Sequence, residues 1–170
     1  MRLIFLDIDG VLNSDAWDKT KKTTSNDFLI DQFDPEAIKL LNELIEKIDA
    51  QIVLTSSWRL NFDLEQMNEL FSRIGIKRGI VSFTPNLNAG AGYLTRGNEV
   101  SKWIIDNGNI IKSKPLSFSD YIILDDKADY LISQTNNFFQ TDKTVGLTPQ
   151  VVQSIINSFD CSSTTSVPGH

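Results

Sequence analysis

The chain has 170 residues, of which 41% are hydrophobic and 22% are charged, a balance typical of one globular domain. Its formal net charge of -6 argues against a broadly basic surface that coats nucleic acid, so any contact with a polyanion must be local. The single cysteine and the single histidine, Cys161 and His170, exclude a disulfide framework, a thiolate or histidine zinc site and a histidine-based catalytic group. Carboxylates must therefore carry any catalytic chemistry.

The apolar stretches of the chain are short. The first one, Leu3 to Leu6, is closed by Asp7 and is too short for the hydrophobic region of a secretory signal. No stretch reaches the roughly 18 apolar residues that a membrane-spanning helix needs. We therefore expect a cytoplasmic protein without a membrane contact.

Short apolar runs alternate along the chain with amphipathic segments, which predict buried strands and helices respectively. The predicted strands cover residues 3–6, 51–57, 80–83, 121–126 and 137–140. The predicted helices cover residues 35–48, 62–74 and 97–107, and a last one starts at Thr148 and Pro149 and stays apolar to Phe159. This alternation predicts an α/β fold, a Rossmann-like three-layer α/β/α sandwich with a mostly parallel sheet.

Two segments lie outside this alternation. Residues 14–33 are polar and lack helical periodicity, which indicates a loop or small flap, and they include three lysines that either face solvent or contact substrate. These lysines are Lys19, Lys21 and Lys22. From about Asp160 the periodicity ends, so residues 160–170 are expected to be a disordered tail. Residues 1–159 are then expected to form a single domain with 14–33 as an insertion.

Three predicted strands end in polar side chains. They are Asp7 and Asp9 after the first strand, Thr55, Ser56 and Ser57 after the second, and Asp125 and Asp126 after the fourth. Because the carboxyl ends of parallel strands meet at one edge of the sheet, these groups should converge. Four carboxylates in one place repel each other unless a cation neutralises them, and oxygen ligands suit Mg²⁺. The sequence therefore predicts a magnesium site formed by Asp7, Asp9, Asp125 and Asp126.

Such a site favours phosphoryl transfer, because a metal and nearby donors stabilise the phosphoryl oxygens while a carboxylate attacks phosphorus. We expect Asp7 to be the nucleophile that forms an aspartyl-phosphate. Asp9, two residues further on, would protonate the leaving oxygen and then deprotonate the attacking water. Gly10 allows a sharp turn beside the phosphate, where backbone N–H groups are expected to contact the phosphate oxygens.

The sequence DIDGVLN at residues 7–13 resembles the first motif of the haloacid dehalogenase (HAD) superfamily. TSSWR at 55–59, a basic residue and LDD at 124–126 follow in the order of that family. The presence of an acid at Asp9 distinguishes this chain from the ion pumps, which have Thr there, and from the dehalogenases, which lack the second acid. The resemblance therefore implies a phosphatase, a phosphoric monoester hydrolase, ahead of a phosphomutase-like enzyme.

The resemblance also implies roles for single residues. Asp7 would be the nucleophile and Asp9 the acid/base. The residues that would bind the phosphate or the ion are Ser56 or its rival Thr55, Arg96 or its rival Lys102, and the metal-binding acids Asp125 and Asp126. Arg96 comes first because it stands at the start of the predicted helix 97–107, whereas Lys102 lies about two turns into it.

The segments 13–34 and 59–96 are too short for a full cap domain, which implies an open site suited to a bulky substrate. The combination of DIDGVLN, SSWR, RGNEVSKWI, LDDKAD and GLT is similar to small HAD domains associated with RNA repair proteins and, more distantly, to the phosphatase half of polynucleotide kinase-phosphatases. This likeness implies a nucleotide or a nucleic-acid terminal phosphate as substrate. Arg59 would then contact phosphate, and Trp58 would either stack on a base or pack in the core.

Two other functions fit part of this pattern. One is a phosphatase for a small metabolite. The other is a non-catalytic module that accepts or senses phosphate, because receiver domains also gather acids around magnesium. In a receiver the paired acids follow the first strand and the phospho-acceptor comes later, whereas here the second acid pair comes last. Asp129 either extends the acidic cluster or starts a helix.

Overall fold

The fold is built on a sheet of five strands in which every neighbouring pair is parallel. The strands are β1 (Arg2–Leu6), β2 (Ala50–Leu54), β3 (Ile80–Phe83), β4 (Tyr121–Asp125) and β5 (Phe138–Gln140), in the order β3-β2-β1-β4-β5. The computed structural model describes residues 2–21, 27–88, 94–111 and 120–162, without the side chains of 108–111 and 160–162. Because β1 is central, the residues that follow it lie in the middle of one sheet edge.

Five α-helices connect or flank these strands in the described part of the chain. They are α1 (Asp15–Thr20), α2 (Pro35–Ile48), α3 (Leu64–Arg73), α4 (Arg96–Ile111) and α5 (Pro149–Ser162). Side-chain caps set where α2 and α3 begin: the Asp34 carboxylate accepts the Glu36 N–H, and Asp63 forms a reciprocal capping box with Gln66. A short 3₁₀ turn, Ser57–Leu60, follows β2.

Alternate residues of each strand face opposite layers of the molecule. On β1, Ile4 and Leu6 pack in a large core with α2, α3 and α5, whereas Leu3 and Phe5 pack in a smaller core with α4. The ring of Phe5 meets Trp103 of α4 edge-on, with 5.3 Å between the centroids. The helices thus cover both faces of the sheet, which confirms the predicted α/β/α fold.

The structure differs from the prediction in one additional helix and in the C-terminal ends of two others. Helix α1 lies inside residues 14–33, which were expected to be a loop, because the Ser14 hydroxyl accepts the Trp17 N–H and caps a helical turn. Helix α4 continues past Gly108 to Ile111, and α5 continues to Ser162. Lys22 and residues 163–170 of the predicted tail lie outside the described residues. Within the part of the chain that the structure describes, every helix is too short or too polar to span a bilayer.

Candidate active site

The polar residues predicted at the strand ends meet at the carboxyl edge of the central strands. Beyond the strands the backbone keeps the sheet register: the Asp7 N–H donates to the Leu124 carbonyl (3.0 Å), and the Thr55 N–H donates to the Leu6 carbonyl (2.8 Å). β1 and β4 pair directly, with Leu6 opposite Leu124. Asp7 and Asp125 therefore leave neighbouring strands at the same level.

Three carboxylates come together at this edge. One oxygen from each of Asp7, Asp125 and Asp126 lies within 4.8 Å of the others. Asp7 and Asp125 are 1% and 0% exposed. Burial, followed by the nearby Asp125 charge, raises the pKa of Asp7, and burial likewise raises the pKa of Asp125. The site therefore favours either a proton or a cation at these carboxylates.

Arg96 supplies one positive charge to the cluster. Its Nη1 lies 2.7 Å from Asp7 Oδ2 and 2.6 Å from Asp125 Oδ2. Burial alone would lower the pKa of Arg96, but the two carboxylates outweigh it and raise the pKa above its ordinary value, so the guanidinium stays charged. Lys102 instead pairs with Asp106 at 2.5 Å on the half-exposed side of α4. Of the two basic candidates, Arg96 is the one that contacts the acids.

The remaining oxygens of the cluster suit a hard divalent cation. Asp7 Oδ1 and Asp126 Oδ1 are buried and accept no hydrogen bond from the described residues. Asp125 differs, because its Oδ1 accepts the Lys127 N–H (2.8 Å) and its Oδ2 accepts both Arg96 and the Tyr130 hydroxyl (2.6 Å). An oxygen-only donor set fits Mg²⁺, and the open oxygens belong to Asp7 and Asp126.

Asp9 lies outside this three-acid group and is exposed. The Trp58 indole N–H donates to its Oδ2 at 3.1 Å, and the Asn13 amide donates to its Oδ1 at 2.9 Å. The indole itself packs against Phe33 and Phe62, with centroid distances of 5.4 Å and 5.7 Å. Trp58 is thus a packed ring that also orients the Asp9 carboxylate.

The two candidate hydroxyls after β2 have different partners. Thr55 is fully buried, and its Oγ1 accepts a hydrogen bond from the Thr84 hydroxyl at 3.3 Å. The Ser56 hydroxyl accepts the Trp58 N–H at 3.4 Å and lies near the Asp7 carboxylate, where it opposes part of the rise in the pKa of Asp7. Ser56 is therefore the hydroxyl that the structure brings to Asp7.

All three nitrogen atoms of the Arg59 guanidinium have partners within the protein. Its Nη1 donates to the carbonyls of Thr55 (2.8 Å) and Ser56 (2.6 Å), and its Nε donates to the Thr84 carbonyl (3.1 Å). Its Nη2 pairs with Glu99 of α4 at 2.5 Å, and both side chains are less than a tenth exposed. Burial lowers the pKa of Arg59, and Glu99 opposes that effect. In this geometry Arg59 holds the backbone at Thr55 and Ser56, and its contact with a phosphate stays a prediction.

Gly10 allows the turn after β1 to approach Asp126 closely. Its φ is 75°, and a Cβ at this position would lie 2.7 Å from Asp126 Cβ. Its N–H, which was expected to face a phosphate, donates to Asn13 Oδ1 at 2.8 Å, and its carbonyl accepts the Thr141 hydroxyl at 2.7 Å. The glycine is required by both the backbone angle and the contact with Asp126.

Several residues of the site escaped the sequence prediction. Tyr130 holds Asp125, and Asn13 bridges Asp9 and Gly10. Asn13 stands inside the DIDGVLN motif and could have been noticed there, whereas nothing in the sequence marks Tyr130. Asp129, in contrast, was considered from the sequence, either as an extension of the acidic cluster or as the start of a helix. Its carboxylate accepts the Arg96 N–H at 3.3 Å, so it caps the first turn of α4 from a distant part of the chain.

The geometry agrees with what comparison with known proteins finds. Residues 3–152 match a family model described as the HAD domain in Swiss Army Knife RNA repair proteins. No curated protein gives a match. The matched range contains every site residue from Asp7 to Thr141 and most of the chain. The chain therefore belongs to the family of HAD domains in Swiss Army Knife RNA repair proteins.

Proposed function

We propose that the chain is a Mg²⁺-dependent phosphatase that removes terminal phosphates from nucleotides or nucleic-acid ends through an aspartyl-phosphate on Asp7. The observation that carries this proposal is the pair of open, buried oxygens on Asp7 and Asp126, beside the charged Arg96 and the Ser56 hydroxyl. Asp7 and Asp126 would hold the ion with one oxygen each. When bound, Mg²⁺ neutralises the buried acids and stabilises charge on the phosphoryl oxygens.

The first half of the reaction uses Asp7 as nucleophile. A carboxylate oxygen of Asp7 forms a bond to phosphorus while the bond to the leaving oxygen breaks. Arg96 already contacts Asp7, so its guanidinium is placed to stabilise negative charge on the transferred group. The Ser56 hydroxyl offers a further donor to the phosphoryl oxygens.

Asp9 is suited to the proton transfers because it is exposed and lies outside the buried acid cluster. In its protonated form it donates a proton to the leaving oxygen. In the second half it takes a proton from water, which attacks phosphorus, releases phosphate and restores the Asp7 carboxylate. Trp58 and Asn13 hold the Asp9 carboxylate during both transfers.

The test of the chemistry is Mg²⁺-dependent phosphate release from an aryl phosphate. We expect Asp7→Asn to lose at least about 1,000-fold in activity, because the amide cannot act as the nucleophile. Asp106→Asn, which changes an exposed acid on α4, is the matched control and should retain activity. If Asp7→Asn were as active as the parent chain, the assignment of the nucleophile would be wrong.

The substrate class needs a separate measurement. A panel of 3′- and 5′-phosphorylated oligonucleotides, nucleotides and sugar phosphates should give the highest kcat/KM with a nucleotide or an oligonucleotide end. A preference for sugar phosphates would instead favour a small-metabolite phosphatase. Metal-dependent phosphate binding to Asp7 without turnover would favour a phosphate-accepting module.

A further inference from the structure

A cavity of about 310 Å³ lies beside the 3₁₀ turn that follows β2. Three aromatic side chains, Phe28, Trp58 and Phe62, and three polar uncharged ones, Gln32, Ser57 and Asn61, line it. We call it the aromatic cavity. Its volume is at the lower end of the range for small-molecule sites.

The aromatic cavity shares a wall with the candidate active site. That wall is Trp58, whose indole N–H donates to the Asp9 carboxylate at 3.1 Å while its ring lines the cavity. Ser57, which also lines the cavity, directly follows Ser56, the hydroxyl that reaches Asp7. A ligand in the cavity is thus one side chain away from the acid/base of the proposed reaction.

The chemistry of the lining selects the type of ligand. Among the described residues, no charged side chain lines the cavity itself, and the nearest ammonium, that of Lys21, donates to Gln32 at 3.3 Å and lies 5.8 Å from the centre of the Phe28 ring. The lining therefore offers more to an uncharged ring than to a phosphate or a metal ion. Phe28 belongs to the lining and is 72% exposed, so much of its ring is accessible to a ligand. Aromatic faces combined with amide and hydroxyl groups suit a flat ring with a hydrogen-bonding edge.

We propose that the aromatic cavity receives the nucleobase of the nucleotide whose terminal phosphate is removed at Asp7. This inference rests on the proposed function and extends it, because it places a second recognition element beside the phosphate site. The base stacks on the aromatic side chains, and the Asn61 amide offers hydrogen bonds to its polar edge, whereas the Gln32 amide is held by Lys21 and by the Phe28 carbonyl. Recognition of the base adds affinity for a nucleotide that a sugar phosphate does not obtain.

Binding can be tested without turnover by using Asp7→Asn and a phosphorylated oligonucleotide with 2-aminopurine as its terminal base. Stacking in the cavity should quench the fluorescence of 2-aminopurine, and adding Phe28→Ala should weaken this binding about 5- to 100-fold. Ile105→Ala, which truncates a 74% exposed apolar side chain on α4, is the matched control and should bind like the parent. Absent quenching, or quenching that Phe28→Ala leaves unchanged, overturns the proposal.

Kinetics provide a second, independent measurement. Phe28→Ala should raise KM for an oligonucleotide with a terminal base and leave an otherwise identical abasic end unaffected. Equal effects on both ends would contradict a base-binding role. The fluorescence is measured in Asp7→Asn, so it tests base binding in the cavity even if the parent chain releases no phosphate. A lack of phosphate release would overturn only the proposed function.

Discussion

Asp9 is held by two side chains from different parts of the chain. Asn13 comes from the same turn, but Trp58 comes from the turn after β2 and brings its indole N–H to within 3.1 Å of the carboxylate. An acid/base must point its oxygen at the leaving group in one step and at water in the next. The indole N–H therefore acts by positioning, and the effect of its removal should fall on kcat.

We expect Trp58→Phe to lower kcat about 10-fold with little change in KM, because the aromatic packing is largely retained while the hydrogen bond to Asp9 is lost. The matched control is Trp103→Phe, which removes an indole hydrogen bond to Ser82 in the core under α4. This control should lower the melting temperature but keep kcat. Equal losses of kcat in both variants would indicate a general structural effect.

Tyr130 is the corresponding supporting residue for the buried acids. Its hydroxyl donates to Asp125 Oδ2 at 2.6 Å, and burial together with the Asp125 charge raises its pKa, which keeps it a neutral donor. Tyr130→Phe leaves that oxygen with Arg96 alone, so activity should fall about 10- to 100-fold. Tyr121→Phe, at a buried tyrosine that packs against Phe5, is the control and should stay active. An unchanged rate in Tyr130→Phe would show that Tyr130 does not support catalysis.

At the scale of elements, hydrophobic periodicity was sufficient for the sheet and the long helices. Apolar runs and capping residues depend only on neighbours in sequence, so the five strands, α2 and α3 could be predicted to within a few residues. Helix α1 could not, because its first N–H groups donate to the carbonyls of Lys143 and Thr144, far away in sequence. Such tertiary hydrogen bonds stabilise a short polar helix that its own sequence does not predict.

The same distinction between local patterns and long-range contacts applies to the candidate site. Acids at the ends of parallel strands must converge, so the cluster of Asp7, Asp125 and Asp126 could be inferred from topology alone. The direction of a long side chain is different, because it depends on partners that topology does not specify. Arg59 lies two residues after Ser57 in the sequence, but its side chain forms a buried ion pair with Glu99, 40 residues later.

The pair of Arg59 and Glu99 joins the turn after β2 to α4, and so connects the elements that carry Ser56 and Arg96. Breaking a buried ion pair leaves an uncompensated charge, so Arg59→Met and Glu99→Gln should each cost about 3–5 kcal/mol in the free energy of unfolding. The double variant should cost less than the sum of the two. Chemical denaturation of the four proteins measures this coupling.

The exposed ion pair of Lys102 and Asp106 on α4 provides the control for this double-mutant cycle. Its coupling should stay within about 0.5 kcal/mol, because solvent screens exposed charges. If the costs of Arg59→Met and Glu99→Gln were additive, the buried pair would not act as a unit, and its proposed role in fixing the backbone at Thr55 and Ser56 would fail.

Charge balance links the site to the stability of the whole molecule. The chain has a net charge of -6, and the acids at the centre of its sheet edge share Arg96 as the one cation that contacts them among the described residues. A divalent cation that binds the folded state and not the unfolded state should therefore stabilise the protein. Mg²⁺ should raise the melting temperature of the parent chain, and Asp126→Asn should reduce that increase.

Without a divalent metal, the stability of the chain should depend on pH through Asp7. Burial and the Asp125 charge raise the pKa of Asp7 in the folded state above its ordinary value of 3.8. The folded state thus holds this proton more tightly than the unfolded state does. The stability that the proton supplies is fully present below about pH 3.8 and is lost as the pH rises through the raised folded pKa.

Asp7→Asn does not titrate at this position, so it should become more stable relative to the parent as the pH rises from about 3.8 through the raised folded pKa of Asp7. Each pKa unit corresponds to about 1.4 kcal/mol, which is several degrees in melting temperature for a chain of this size. Melting curves in chelator from about pH 4 to about pH 8 measure the difference, with the exposed Asp106→Asn as control. A difference that is constant or shrinks with rising pH would contradict the inferred burial cost of Asp7. Adding Mg²⁺ at neutral pH should narrow the gap, because the ion binds the ionised carboxylate of the parent more tightly than the amide of the variant.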